Sequence, residues 1–177
     1  MTETITLGGG CFWCTEAVFE QVDGVVAVES GYSNGDTEDP SYEEVCDGET
    51  GHAEVVRVRF DPQRIPLAEI LEIFFATHDP TTKNRQGNDI GTQYRSAIYT
   101  HCDAQRAVAQ RVLADANRAW GGRVVTELAP EHNYWPAENY HQRYYATHPG
   151  QGYCAAVIGP KLEKFRKTFK KRLRQPG

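Results

Sequence analysis

No segment of this chain approaches the uninterrupted apolar run that a membrane-spanning helix needs, and residues 1–6 lack both a basic start and a long apolar stretch. Neither a bilayer span nor a secretory signal is expected, which leaves the cytoplasm as the default location. A disulfide framework is missing too. There are five cysteines, an odd number with one close pair, where a small secreted scaffold would carry several matched ones. The six histidines show no metal-ligand spacing and no second C-x-x-C accompanies the first, so no bound metal is expected. Internal repeats and linkers are also absent. At 177 residues the chain is long enough for one well-packed domain, expected over 1–177, and short for two.

What remains has the proportions of a globular protein, 40% hydrophobic and 24% charged. The net charge of −5 is spread unevenly. From Lys161 onward eight Lys or Arg stand against one acid, Glu163, while the rest of the chain holds 11 basic and 23 acidic residues. A basic tail is one route to nucleic acid or an acidic partner. The favoured expectation is a solvated helix face resting on the acidic body, with no nucleic-acid and no membrane partner.

Apolar spacing predicts the elements in order. Residues 5–7 form a short strand that runs into Gly8, Gly9 and Gly10, and 15–22 reads as helix. Residues 25–32 and 54–60 read as strands, with a polar loop between them. Leu67, Ile70, Leu71, Phe74 and Phe75 recur at helical spacing. The polar stretch 79–92 is long for a mere connection. Strand is expected at 95–100, helix at 103–120 with Asp103 as N-cap, and strand at 123–128. A short helix over 137–145, a turn-rich segment over 148–159 and a basic terminal helix close the chain. This order fits an α+β two-layer sandwich with a ferredoxin-like βαββαβ core and a loop-rich C-terminal extension.

Chemistry concentrates at Cys11. It follows three glycines at the end of a strand and opens a helix, where oriented N–H groups favour a thiolate. The alternative is a small buried cysteine in a glycine turn. Cys14 completes a C-x-x-C suited to disulfide exchange. Phe12 and Trp13, between the thiols, either wall an apolar pocket or are ordinary core. Glu54 shares a strand face with Val56, Val58 and Phe60, so its carboxyl group is expected to be desolvated, protonated near neutral pH and able to donate a proton. If the strand frays there, it meets solvent instead. Tyr42, Tyr94 and Asp89 lie in the polar loops, where the tyrosine hydroxyls can donate to an oxygen atom.

Several segments together resemble the A-type peptide methionine sulfoxide reductases: Gly-Cys-Phe-Trp-Cys-Thr-Glu-Ala at 10–17, Gly-His-Ala-Glu-Val at 51–55, and His-Asp-Pro-Thr-Thr with Gly-Thr-Gln-Tyr-Arg-Ser between 78 and 96. Ala-Glu-Asn-Tyr-His-Gln at 137–142 and Gly-Tyr-Cys at 152–154 extend the likeness over nearly the whole chain. The resemblance implies reduction of the S epimer of methionine sulfoxide, free or in proteins, by a monomer with no bound cofactor. Thioredoxin, or dithiothreitol in vitro, would regenerate it. Cys11 then looks like the nucleophile, Glu54 the proton donor, and Phe12 and Trp13 the pocket for the substrate methyl. Tyr42 and Tyr94 would hold the sulfoxide oxygen, with Asp89 in support. Cys154, carried by the C-terminal segment 148–177, resembles the resolving cysteine that forms a Cys11–Cys154 disulfide; Cys14 is its rival. Cys46 and Cys102 are taken as structural. The competing function is a thioredoxin-like disulfide oxidoreductase working through Cys11 and Cys14, and a third is a binding module whose tail grips nucleic acid.

Overall fold

The computed structural model describes residues 1–174. It opens with β1 (Glu3–Gly9), α1 (Phe12–Phe19) and β2 (Val25–Ser33), followed by a short helix α2 (Tyr42–Cys46) and β3 (Ala53–Phe60). Next come α3 (Leu67–Ala76), a small hairpin of β4 (Arg85–Gln86) and β5 (Asp89–Ile90), β6 (Ser96–Thr100) and the long helix α4 (Asp103–Ala119). The last part holds β7 (Glu127–Pro130), β8 (Trp135–Pro136), α5 (Tyr144–Thr147), a π-helical turn Cys154–Ile158 and α6 (Gly159–Thr168).

Six strands form one sheet in the order β7-β6-β1-β3-β2-β8. All neighbours run antiparallel except β6 and β7. The central four are a split β-α-β arrangement: β1 and β2 point the same way, are joined by α1, and have β3 between them. Ile5, Leu7, Val56, Val58 and Phe60 turn to the face covered by the helices, where they meet Val18, Phe19, Ile70, Leu71 and Phe74 in one core. The same alternation carries Glu54 to that face and leaves Arg57 on the other.

The departures from the expected elements have local causes. α1 begins at Phe12, earlier than residue 15, and buries Phe12, Cys14, Thr15, Glu16, Ala17, Val18 and Phe19. A helix buried all round has no apolar stripe to betray its start. α2 lies inside the expected polar loop and is set by a capping box: Ser41 Oγ accepts from the Glu44 N–H and the Glu44 carboxylate from the Ser41 N–H. Cys102, not Asp103, occupies the N-cap of α4, and Asp103 is its first helical residue. The strand expected over 123–128 starts later, at Glu127. Helix over 137–145 reduces to a 3₁₀ turn, Asn139–His141, and α5.

The basic tail folds back on the body, as its charge imbalance anticipates. Arg172 pairs with Glu69, Arg166 donates to Gln21, and Arg174 donates to the carbonyl oxygens of Glu20, Val22 and Val25 just beyond α1. Among the described residues no helix is long and apolar enough to cross a membrane.

Candidate active site

Gly10 makes the turn that presents Cys11. Its φ of 95° is the left-handed region that favours glycine, and a Cβ there would stand 2.6 Å from Gln86 Cγ in the β4–β5 hairpin. Cys11 follows as the N-cap of α1, partly exposed. The helix's first N–H, that of Phe12, donates not to the sulfur but to Glu54 Oε1 at 3.2 Å. Glu54 is 1% exposed, and its second oxygen, Oε2, is buried without a partner. Burial pushes this carboxyl group up to about 8 against the opposing pull of the Phe12 N–H. β3 does not fray at Glu54, and the acid expected at that position faces the core.

Cys11 departs from expectation. Burial holds its thiol well above the ordinary value, and the nearby Cys14 and Glu54 push the same way, outweighing the Trp13 N–H that favours the thiolate. Cys14 is drawn down to about 7, first by that thiol, then by the charge of Lys161 and the hydroxyl of Tyr153, with burial opposing. The same pairing thus raises the Cys11 thiol and lowers that of Cys14.

Aromatic rings enclose the acid side. Tyr42 stacks on Phe12 with 6.3 Å between ring centres and lies 4.3 Å from the His141 ring. Burial, reinforced by the nearby Glu54, raises the hydroxyls of Tyr42 and Tyr94, which therefore stay protonated donors. Phe12 is wholly buried, whereas the half-buried Trp13 stacks face to face on Tyr144 at 3.8 Å. Trp13 Nε1 donates to His141 Nδ1 at 3.0 Å, which fixes the ring of a histidine that burial keeps neutral. Glu138 accepts from Tyr32 Oη at 2.8 Å and from the Tyr42 N–H at 3.0 Å, anchoring the start of α2.

A cavity of about 280 Å³ opens on the other side of Cys11, lined among others by Cys14, Gln86, Asp89, Tyr153 and Lys161. Asp89 accepts from Tyr153 Oη at 2.7 Å, and that oxygen stands 3.7 Å from Cys14 Sγ. Cys154 is 0% exposed and is not among the lining residues; burial raises its thiol. Cys46 and Cys102 are both exposed free thiols. Among the described residues no group of three His, Cys, Asp or Glu side chains is placed to hold a metal ion.

A family model described as peptide methionine sulfoxide reductase matches residues 3–173. The chain belongs to this family. The reductase is 57% identical over 178 residues to the peptide methionine sulfoxide reductase MsrA of Ralstonia nicotianae, covering 97% of this chain and 93% of the relative. Its fold matches the reduced form of Mxr1 from Saccharomyces cerevisiae with a TM-score of 0.81 at 38% identity, over 86% of this chain and 89% of that one. Mxr1 in complex with Trx2 matches with a TM-score of 0.57 at 27% identity, over 81% and 84%. The reductase is thus a thiol-dependent oxidoreductase acting on methionine sulfoxide.

Four residues that shape this site escaped the sequence: Glu138, His141, Tyr153 and Lys161. Tyr153 adjoins Cys154 in the Gly-Tyr-Cys segment, and Glu138 and His141 fall inside the 137–142 segment, so the motifs bracketed three of them. Lys161 carried no signal beyond its place in a basic tail.

Proposed function

We propose that the reductase deoxygenates the S epimer of methionine sulfoxide, free or in proteins, with Cys11 as nucleophile and Glu54 as acid. Cys11 passes its proton toward Cys14 and attacks the sulfoxide sulfur. Glu54 delivers a proton to the departing oxygen while Tyr42 and Tyr94 donate to it, and Asp89 supports them through Tyr153. The methyl group rests against Trp13, with Phe12 behind. The products are methionine and a Cys11 sulfenic acid, so sulfur is reduced in the substrate as it is oxidised in the enzyme. A second thiol displaces water from the sulfenic acid, and the resulting disulfide, which involves Cys154, is reduced by thioredoxin through exchange. The Mxr1 complex with Trx2 supports that partner. All the groups come from one chain and no bound cofactor is needed, consistent with a monomer. A reducing compartment such as the cytoplasm suits a cycle that must regenerate free thiols.

The observation that carries this reading is the buried carboxyl group of Glu54, one oxygen held by the Phe12 N–H beside Cys11 and the other unpartnered. Incubation with a peptide bearing racemic methionine sulfoxide and dithiothreitol, followed by separation of the epimers, tests it. Consumption of half the sulfoxide, all of one epimer, is expected; no consumption ends the proposal.

A further inference from the structure

Glu16 is a carboxylic acid that the proposed reaction does not use, 1% exposed within α1, and its Oε2 is buried without a partner. Burying such a group is costly unless something offsets the lost water. Here the carboxyl group faces the N–H groups of Arg143 and Tyr144 and the hydroxyl of Ser30, whose oxygen is itself buried without a close partner. Arg143 has a φ of 54°, in the left-handed region, and the helical Tyr144 follows it directly. A left-handed residue followed by a right-handed one turns successive N–H groups to one side, forming a concavity that receives an anion. A residue other than glycine stays in that conformation when its surroundings hold it there. Arg143 Nε donates to Glu20 at 3.0 Å, and the side chain of Gln142 brackets Ser30, accepting from its N–H and donating to its carbonyl oxygen, each at 2.9 Å.

Trp13 stands three residues before Glu16, one turn away on the same face of α1. Its ring lies 3.8 Å from that of Tyr144 with the planes 8° apart. His148 stacks on Tyr144 as well, at 4.4 Å. The ring against which the substrate methyl is proposed to rest is thus backed by a residue whose backbone meets the same turn of α1.

We infer that Glu16 is a positioning residue for substrate binding: by drawing in the N–H groups of Arg143 and Tyr144 it holds the Tyr144 ring flat against Trp13, and so fixes the wall that receives the methyl group of the sulfoxide. This rests on the reductase reading and adds a residue to its binding half. Ionised, the carboxylate accepts charge-assisted hydrogen bonds, which are about twice as strong as those a neutral acid accepts. Burial and then the charge of Glu20 push it up to about 7, with the Arg143 N–H, the Ser30 hydroxyl and the Tyr144 N–H opposing. The wall is therefore firm above about 7 and loosens as the pH falls below it. The charged and titratable groups around this contact are Glu20 on α1, Arg143 and Tyr144 facing it, and His141 and His148 beyond Trp13 and Tyr144, while Arg166 and Arg174 of the tail end at Gln21 and the Glu20 carbonyl.

The pH dependence of KM for a sulfoxide peptide, with dithiothreitol as reductant, tests the assignment. In the wild-type chain KM is expected to rise roughly threefold to tenfold as pH falls through about 7, in keeping with the loss of a hydrogen bond to a charged group. Glu16→Gln is expected to flatten the KM profile while leaving the shape of the kcat profile in place, and His148→Gln to keep both as in the wild-type chain. A wild-type KM that does not move over this interval overturns the inference, as does a profile that His148→Gln flattens and Glu16→Gln keeps. Tryptophan emission gives a readout free of turnover. A transition near pH 7 that is lost in both Glu16→Gln and Trp13→Phe is expected, and one that Glu16→Gln retains in full removes Glu16 from the pocket. No methionine from the wild-type chain at any pH would instead defeat the reductase reading, and the emission titration would still decide the role of Glu16.

Discussion

Glu54 and Glu131 approach the same sheet from opposite faces, both largely out of water, and their surroundings send them in opposite directions. On the helix-covered face, Glu54 has one backbone N–H and no cation beside it, and burial pushes it up to about 8. On the other face, burial would also raise Glu131, but His101, Arg57 and the Thr6 hydroxyl together draw it down to about 2. Burial without compensation leaves Glu54 a proton donor, whereas burial with partners leaves Glu131 a structural anion tying β1 and β3 to the chain beyond β7.

Removing the acid breaks the comparison at its most sensitive point. Glu54→Gln or Glu54→Ala is expected to slow methionine release by roughly a hundredfold or more, read in single-turnover kinetics. The wild-type rate with substrate should fall as pH rises through about 8, where Glu54 loses its proton. That alkaline limb should vanish in Glu54→Gln.

Stability sharpens the contrast because the two groups have opposite signs. Glu131 lies below its ordinary 4.5 in the folded chain, so the stability it contributes is present above that value and is lost as pH falls toward 2. Glu54 lies above 4.5, so between 4.5 and about 8 the folded chain holds a proton that the unfolded chain releases, and stability declines as pH rises. Denaturant titrations should therefore find Glu131→Gln destabilised by roughly 1–3 kcal/mol at neutral pH, with Arg57 partly solvated, and with turnover retained. Glu54→Gln should gain stability above neutral pH.

Smaller effects belong to the hydroxyls proposed to hold the oxygen. Tyr42→Phe and Tyr94→Phe are each expected to reduce kcat about tenfold, since a neutral hydrogen bond is worth about 1 kcal/mol and the other donors remain. A larger loss from either would show that one hydroxyl, rather than Glu54, supplies the proton.

Much of this was open to a reader of the residues. Alternation over 54–60 put Glu54 on the apolar face, and the helical spacing of Leu67 to Phe75 is that of α3. The glycine run before Cys11 marked the turn that presents it. The capping-box pattern at Ser41 and Glu44 was also in plain view, yet the polar composition around it disguised α2. Other features had no local signature. β8 is two residues long and exists because β2 offers it an edge, and Cys154 occupies a π turn whose packing against α1 spacing does not encode.

By itself, then, the sequence determined which residue types meet which face: the strand period, the glycine turn and the C-x-x-C are local patterns that short-range sterics and apolar burial enforce. Tertiary structure alone decided their charge states. Desolvation and the reach of a phenol or an ammonium group depend on residues far apart in the chain, so only the folded molecule shows burial raising the Cys11 thiol, Cys11, Lys161 and Tyr153 drawing Cys14 down, and burial raising Glu54.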